Sequence, residues 1–402
     1  MTSHIRITST ALAMVFATAG AIVADTARAQ DSDDRGTLQL HGFMSQALVV
    51  TDRNAFFGSS DDGLGSLEYT EIGLNASMRL GDRFLVAGQA LSRVAGNYGD
   101  AWEPTLDYGI VDYQALTSEA LVLGVQVGRF KNPFGFYNQT RDVPSTRPGV
   151  LLPQSIYYDR SRSLGMASDG VSLYGERHLA NGTLYWQGGI GVPQIGEDAE
   201  ISLSARRPDL DAKLSTVGQL LYAHDGGRIN AALSTARVRA DYRSRVTPSS
   251  EGEFLFQPVI VSLQYNAERW SVTSEYEYQT RELSGFGDSR ANRSTDGESF
   301  YVQYQYRFNS RWQWLLRYDY TLSDRRDRNG RLYAATGQGP SYSRFAKDAT
   351  TGLQWQINPH WSLQAEWHYV DGTAWLPRQD NPDDDKTERY WNLLLFQTAY
   401  SF

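Results

Sequence analysis

The sequence predicts an all-β fold, a transmembrane antiparallel β-barrel of about sixteen strands. Three observations predict it. Residues 389–402 read as one period-two strand that puts Leu394, Phe396, Tyr400 and Phe402 on one face and stops on a terminal phenylalanine. Period-two segments run from residue 37 to the end, joined alternately by short turns and longer polar loops. The first thirty residues read as an export signal. Alternate residues of a barrel wall face lipid, and the wall ends in an aromatic girdle at the water interface, so a terminal Tyr-x-Phe has a physical place to sit.

The leader carries Arg6, an apolar stretch at 11–24, and Ala27-Arg28-Ala29 before Gln30. This is the pattern of a signal peptide cleaved after residue 29. Its apolar stretch is shorter than the roughly 20 residues that cross a bilayer as a helix. No later run is long and apolar enough either, so the remainder, 30–402, is expected to form a single barrel domain that crosses with strands. The chain has no cysteine, which excludes a disulfide framework and thiolate metal sites. It contains 24 Tyr and 10 Trp, yet its mean hydropathy is −0.47. Tyr and Trp belong at membrane interfaces, while half of every barrel strand faces water. A net charge of −8 argues against nucleic acid, which needs a basic surface.

In order, the expected strands are 37–51, 66–80, 83–96, 105–117, 120–130, 168–180, 182–193, 214–224, 226–242, 255–267, 269–283, 297–308, 311–323, 345–357, 360–371 and 387–402. Tight turns such as Gly81-Asp82, Asn309-Ser310 and Asn358-Pro359 join every second pair. The alternation of short turns with long loops is that of outer-membrane barrels, with the turns periplasmic. One face of the 311–323 strand is Trp312, Trp314, Leu316, Tyr318 and Tyr320; the other is Arg311, Gln313, Leu315, Arg317 and Asp319. By the same parity, Arg269, Glu275, Glu277, Arg281, Arg307, Arg311, Arg317 and Asp319 are expected on the lumen wall.

A barrel this wide holds water unless something fills it. The candidate constriction is the third long loop, 131–167, whose four prolines and many aromatics argue for order. Its charged groups are Lys131, Arg141, Arg147, Arg160 and Arg162 against Asp142 and Asp159. Lining a narrow pore, this basic excess would concentrate small anions.

The loop opens on Gly128-Arg129-Phe130-Lys131-Asn132-Pro133-Phe134-Gly135. This segment resembles the Gly-x-Phe-Lys-x-Pro-Phe-Gly stretch of the phosphate-selective porin O/P family, at the same place in the barrel. The resemblance implies a sixteen-stranded, usually trimeric porin whose third loop narrows the pore. Phosphate specificity does not carry over, because the family's anion path is rich in lysine. This chain has four lysines, of which only Lys131 falls in the matched segment.

The expected function is a channel for passive diffusion of small hydrophilic solutes or ions, leaning to anions. A substrate-specific channel for a sugar or organic acid, and a plugged surface-binding barrel, stand beside it. Outer-membrane lipid and lipopolysaccharide are the expected surroundings, the latter reached through loop carboxylates such as Asp61-Asp62 and Asp383-Asp384-Asp385. Phe396, Tyr400 and Phe402 are expected to be read by the barrel-assembly machinery. No cofactor, metal or catalytic constellation is expected. His360 and His368 share a strand face with Glu366 but lie about 26 Å apart, too far to hold one ion.

Overall fold

The computed structural model describes residues 36–97, 102–203, 208–245, 251–288 and 291–402; the expected leader lies outside them. Sixteen strands follow in chain order. They are β1 (Leu38–Thr51), β2 (Ser66–Leu80), β3 (Phe84–Ala95), β4 (Thr105–Thr117), β5 (Leu121–Lys131) and β6 (Ala167–Leu179). Next come β7 (Gly182–Pro193), β8 (Asp209–His224), β9 (Ile229–Arg243), β10 (Glu251–Asn266) and β11 (Trp270–Ser284). The series ends with β12 (Arg293–Arg307), β13 (Trp312–Leu322), β14 (Phe345–Gln356), β15 (Trp361–Gly372) and β16 (Tyr390–Ser401). Two short helices, α1 (Glu197–Leu203) and α2 (Arg331–Ala335), sit in long loops.

Each strand pairs antiparallel with its chain neighbours, and β1 pairs with β16 to close the barrel. Closure leaves no sheet edge, which a bilayer demands because lipid offers backbone groups no partner. At the seam, the Phe402 amide donates to the Gly42 carbonyl and the Gly42 amide to the Phe402 carbonyl, both at 3.0 Å. Gly42 is needed here, since a Cβ on it would lie 2.5 Å from the Phe402 ring.

The faces separate as expected. Tyr276, Val302, Leu316, Tyr318 and Phe396 are exposed on the outer surface. Their sequence neighbours Glu275, Tyr301, Arg317 and Leu395 are buried within the barrel. Three strands begin four or five residues before the expected starts: β8 at Asp209, β10 at Glu251 and β12 at Arg293. The extensions of β8 and β10 carry their charges on one face (Asp209, Asp211 and Lys213; Glu251 and Glu253) and bury Leu210 and Phe254 on the other, with pairs such as Lys213–Asp241 at 2.5 Å and Arg243–Asp211 at 2.9 Å tying them. They rise beyond the apolar belt into water, where the alternation of a membrane strand is reversed, with charge outside and apolar side chains inside.

The barrel also contains apolar packing inside its long-loop end, which strand periodicity does not announce. Phe56 and Phe57 of the first loop and Trp375 and Leu376 of the eighth fold inward onto Val150 and Leu151 of the third loop and onto Trp391 and Leu393 of β16. Phe56 meets Trp375 edge-on at 5.5 Å, and Trp375 lies 5.1 Å from Trp391.

Candidate functional site

The third loop leaves β5 and crosses the lumen. Its neck is tied by Asn138, whose side-chain amide donates to the carbonyls of Asn132 at 3.0 Å and Gly165 at 2.9 Å. Two glycines of the opening segment have structural reasons. Gly128 has φ +123, and a Cβ there would lie 2.3 Å from the Gly109 carbonyl oxygen. Gly135 has φ +61 and sits against the Tyr157 hydroxyl. Both are conformations that favour glycine.

Wall carboxylates then hold the loop by its backbone and hydroxyls. Glu275 on β11 accepts the Phe136 amide at 2.9 Å and the Tyr157 hydroxyl at 2.6 Å. Glu277 accepts the Tyr158 hydroxyl at 3.3 Å. Across the lumen, Glu366 on β15 accepts the Val150 amide at 2.5 Å, while Arg317 on β13 donates to the Leu151 carbonyl at 3.1 Å. Burial, reinforced by Glu275, pushes the Tyr157 hydroxyl well above its ordinary range and that of Tyr137 to about 12. Both therefore remain protonated, and the Tyr157 hydroxyl remains a donor, at neutral pH.

Most of the loop's charge is consumed locally. Lys131 pairs with Asp107 on β4 and with Asp142, which also meets Arg162. Arg147 reaches Glu71 on β2 at 2.5 Å, and Arg93 on β3 bridges Glu71 at 3.3 Å and Asp159 at 2.8 Å. Arg141 donates to the Tyr157 carbonyl at 3.0 Å and stands 3.8 Å from Asp159. Burial acts against the charge of each arginine. In Arg147 the neighbouring Glu71 outweighs it and raises the pKa, whereas Arg93 and Arg141 add to it and push Arg162 well down. Of the seven charged residues of the loop, Lys131, Arg141, Asp142, Arg147, Asp159 and Arg162 lie in this network. Arg160 stands outside the network, at the lining of a cavity above the loop, where it donates to the Ala374 and Ser202 carbonyls.

The expected wall residues divide by depth. Glu275, Glu277, Arg317 and Asp319 face inward and are buried against the loop. With them stands a cluster on the strand face that His368 shares with Glu366, joined by Asp348, which parity did not single out: His368 lies 2.7 Å from Asp348 and 3.0 Å from Glu366, and Arg317 lies 3.1 Å from Glu366. Arg269, Arg307 and Arg311 stand instead at the short-turn end, where Arg307 donates to the carbonyls of Ala267 at 2.9 Å and Glu268 at 3.1 Å. They take no part in the constriction. His360 sits at a turn beside the Ser401 carbonyl at 2.8 Å. Among the described residues, no cluster of His, Cys, Asp or Glu is arranged to hold a metal ion. Phe396, Tyr400 and Phe402 share the outer face of the closing strand, Tyr400 packing 5.1 Å from Trp361.

Above the loop, toward the long-loop end, opens a vestibule of about 490 Å³. Arg160, Arg281, Arg293, Arg344 and Arg378 line it against two acids, Glu282 and Asp384. Arg378 is matched by Asp384 at 3.1 Å, and Arg160 is spent on the carbonyls of Ala374 and Ser202. Arg281 donates to Gln279 at 3.0 Å and lies over the Tyr158 ring at 6.0 Å. Arg344 stacks on Tyr333 of α2 at 4.6 Å. Among the described residues, Arg281, Arg293 and Arg344 have no carboxylate at ion-pair distance. Burial lowers the Arg344 pKa, and the cations of Arg281 and Arg378 oppose its charge further. Sequence parity pointed to Arg281 and loop composition to Arg160. Arg293 lies before the expected start of its strand, and Arg344 and Arg378 lie in loops whose inward course leaves no periodic trace.

No family model matches the chain, and no curated protein matches its sequence. Its fold is similar to that of the outer membrane channel DcaP of Acinetobacter baumannii, at 13% identity and a TM-score of 0.57, over 92% of this chain and 99% of that one. It is similar to the anion-selective porin from Comamonas acidovorans, at 10% identity and a TM-score of 0.57, over 92% of this chain and all of that one. OmpT of Vibrio cholerae in its trimer form matches at 12% identity and a TM-score of 0.55, over 92% of this chain and all of the other. At these identities the likeness is one of fold, the closed sixteen-stranded barrel of outer-membrane porins.

Proposed function

We propose that this protein is an outer-membrane porin, a water-filled channel for passive diffusion of small hydrophilic solutes that favours anions. The observation that carries the anion preference is the vestibule, where five arginines face two acids. A ring of cations at the mouth of a pore raises the local anion concentration. The fold supports the channel role, and one of the structures it resembles is described as an anion-selective porin.

The location and partners belong to the same reading. Residues 1–29 would direct export, Phe396, Tyr400 and Phe402 would address the chain to the barrel-assembly machinery, and the finished barrel would sit in outer-membrane lipid and lipopolysaccharide. A homotrimer is supported by the trimer form of the similar Vibrio cholerae protein. It is supported also by the outer wall: exposed aromatics such as Trp270, Tyr276, Tyr318, Trp367 and Tyr369 gather on β11 to β15, whereas the exposed outer side chains of β1 to β5 are almost all aliphatic. A wall that meets a second copy needs no aromatic girdle.

The test is the conductance of the refolded protein in a planar bilayer, with the reversal potential read in a KCl gradient. Discrete open steps with a chloride-favouring potential are expected. The inward packing of the first, third and eighth loops favours a second reading, a plugged surface-binding barrel. Correct insertion without conductance would establish that reading instead.

A further inference from the structure

We propose that the vestibule is a saturable binding site for small organic carboxylates that carry an apolar body. The inference rests on the anion-channel reading and goes beyond it, from a diffuse field to a defined ligand class. Three features of the cavity point the same way. First, its cations are all arginines, whose planar guanidinium matches a carboxylate with two parallel hydrogen bonds and is more weakly hydrated than an ammonium group. Second, stacking on aromatic rings fixes two of them. Arg344 lies over Tyr333, and Arg281 lies between Tyr158 at 6.0 Å and Phe256 at 5.7 Å. A guanidinium held by its face can present its edge to a ligand; Arg281 gives its Nε–H to Gln279 and keeps its terminal N–H groups for one. Third, the half-buried Leu203 and Ala374 and the rings of Tyr158 and Tyr333 share the lining with the arginines, backed by the buried Phe254, Leu283 and Leu376. An inorganic anion gains nothing from such a surface, whereas an organic acid buries its body there.

The volume, about 490 Å³, lies in the range of pockets that enclose small molecules. The unmatched Arg281, Arg293 and Arg344 supply the charge that the carboxylate would answer. Sugars without charge fit poorly, because they would leave three cations facing one another unanswered.

The test uses single channels of the full-length mature protein, with acetate, butyrate, benzoate and inorganic phosphate added in turn to the long-loop side. The expected result is a saturating block of chloride current whose affinity rises from acetate through butyrate to benzoate and exceeds that for phosphate. Arg344→Gln should weaken benzoate block by about tenfold, as expected for a charge-assisted hydrogen bond. Tyr333→Leu should also weaken benzoate block, and by more than it weakens acetate block. Both positions lie in a loop outside the strand ladder, so the barrel itself is not at stake. Equal affinity across the three carboxylates, or tighter binding of phosphate, would overturn the ligand class while leaving the anion channel standing. A cation-favouring reversal potential in the unmodified protein would overturn the reading beneath it.

Discussion

Arginines crowd two regions of this barrel, and the two use them differently. On the β2 to β4 side, Arg93, Arg141, Arg147 and Arg162 join Lys131 against Glu71, Asp107, Asp142 and Asp159, nearly charge for charge. On the β10 to β14 side, Arg281, Arg293 and Arg344 face a cavity and, among the described residues, have no carboxylate at ion-pair distance. The first group fastens the third loop to the wall. The second leaves a field in the lumen. A residue's charge therefore says little about the pore until its partner is known, and the partner here comes from a different strand or loop.

The comparison breaks most visibly at Glu71. Its carboxylate is fully buried and meets both Arg147 and Arg93. Glu71→Ala would leave two buried guanidinium groups without their shared partner, a loss of about 3–5 kcal/mol in a buried pair. The expected outcome is a lower unfolding midpoint in detergent and protease cleavage within 131–167, measured beside the unmodified protein. A variant as stable as the parent would mean that the network does not hold the loop.

The barrel itself was open to reading from the sequence. All sixteen strands stand where period-two patterning placed them, because lipid on one side and water on the other write their difference into alternate residues. The ends of β8 and β10 escaped because the contrast reverses there, Asp211 and Glu253 facing out and Leu210 and Phe254 in, and the start of β12 because Arg293 and Asp296 put charge on both faces. The site was legible only in part. Parity put Glu275, Glu277, Arg317 and Asp319 inside, but parity has no depth, so Arg269, Arg307 and Arg311 joined them on paper though they stand at the turns. The composition of the third loop showed that it was ordered and basic. It did not show that Glu71 and Asp107, some 25 to 75 residues away in sequence, neutralise it.

A second break separates field from fastening in one pair of variants. Arg344→Gln should lower the chloride-to-potassium permeability ratio by about two- to threefold, the size expected when one partly screened charge leaves a pore mouth. Arg141→Gln should leave that ratio unchanged and lower stability, because its charge is buried beside Asp159 and never reaches the lumen. The reversal potential in a KCl gradient and the unfolding midpoint read the two effects independently. If both variants shift the ratio equally, the division between the two regions fails.

Alkaline titration tests the fastening from the other partner. The Tyr137 hydroxyl is raised to about 12 by burial and by Glu275, whereas an exposed tyrosine ionises near 10. A raised pKa favours the protonated, folded form. Its contribution to stability is thus complete below about pH 10 and is lost as pH rises through 12. Tyrosinate absorbance should show a late-titrating class, and Tyr137→Phe should remove one member of it.

The smallest effect belongs to Arg378 and Asp384, a pair 3.1 Å apart with side chains 22% and 28% exposed at the vestibule rim. Arg378→Gln with Asp384→Asn removes a cation and an anion together, so the net charge of the mouth is unchanged. A partly exposed pair of this kind contributes about 0–1 kcal/mol. The double variant should therefore keep both the permeability ratio and the unfolding midpoint of the parent. A clear fall in chloride preference would show that a matched arginine still acts on passing ions. The pore field would then follow the number of arginines at the mouth rather than the number left without a carboxylate.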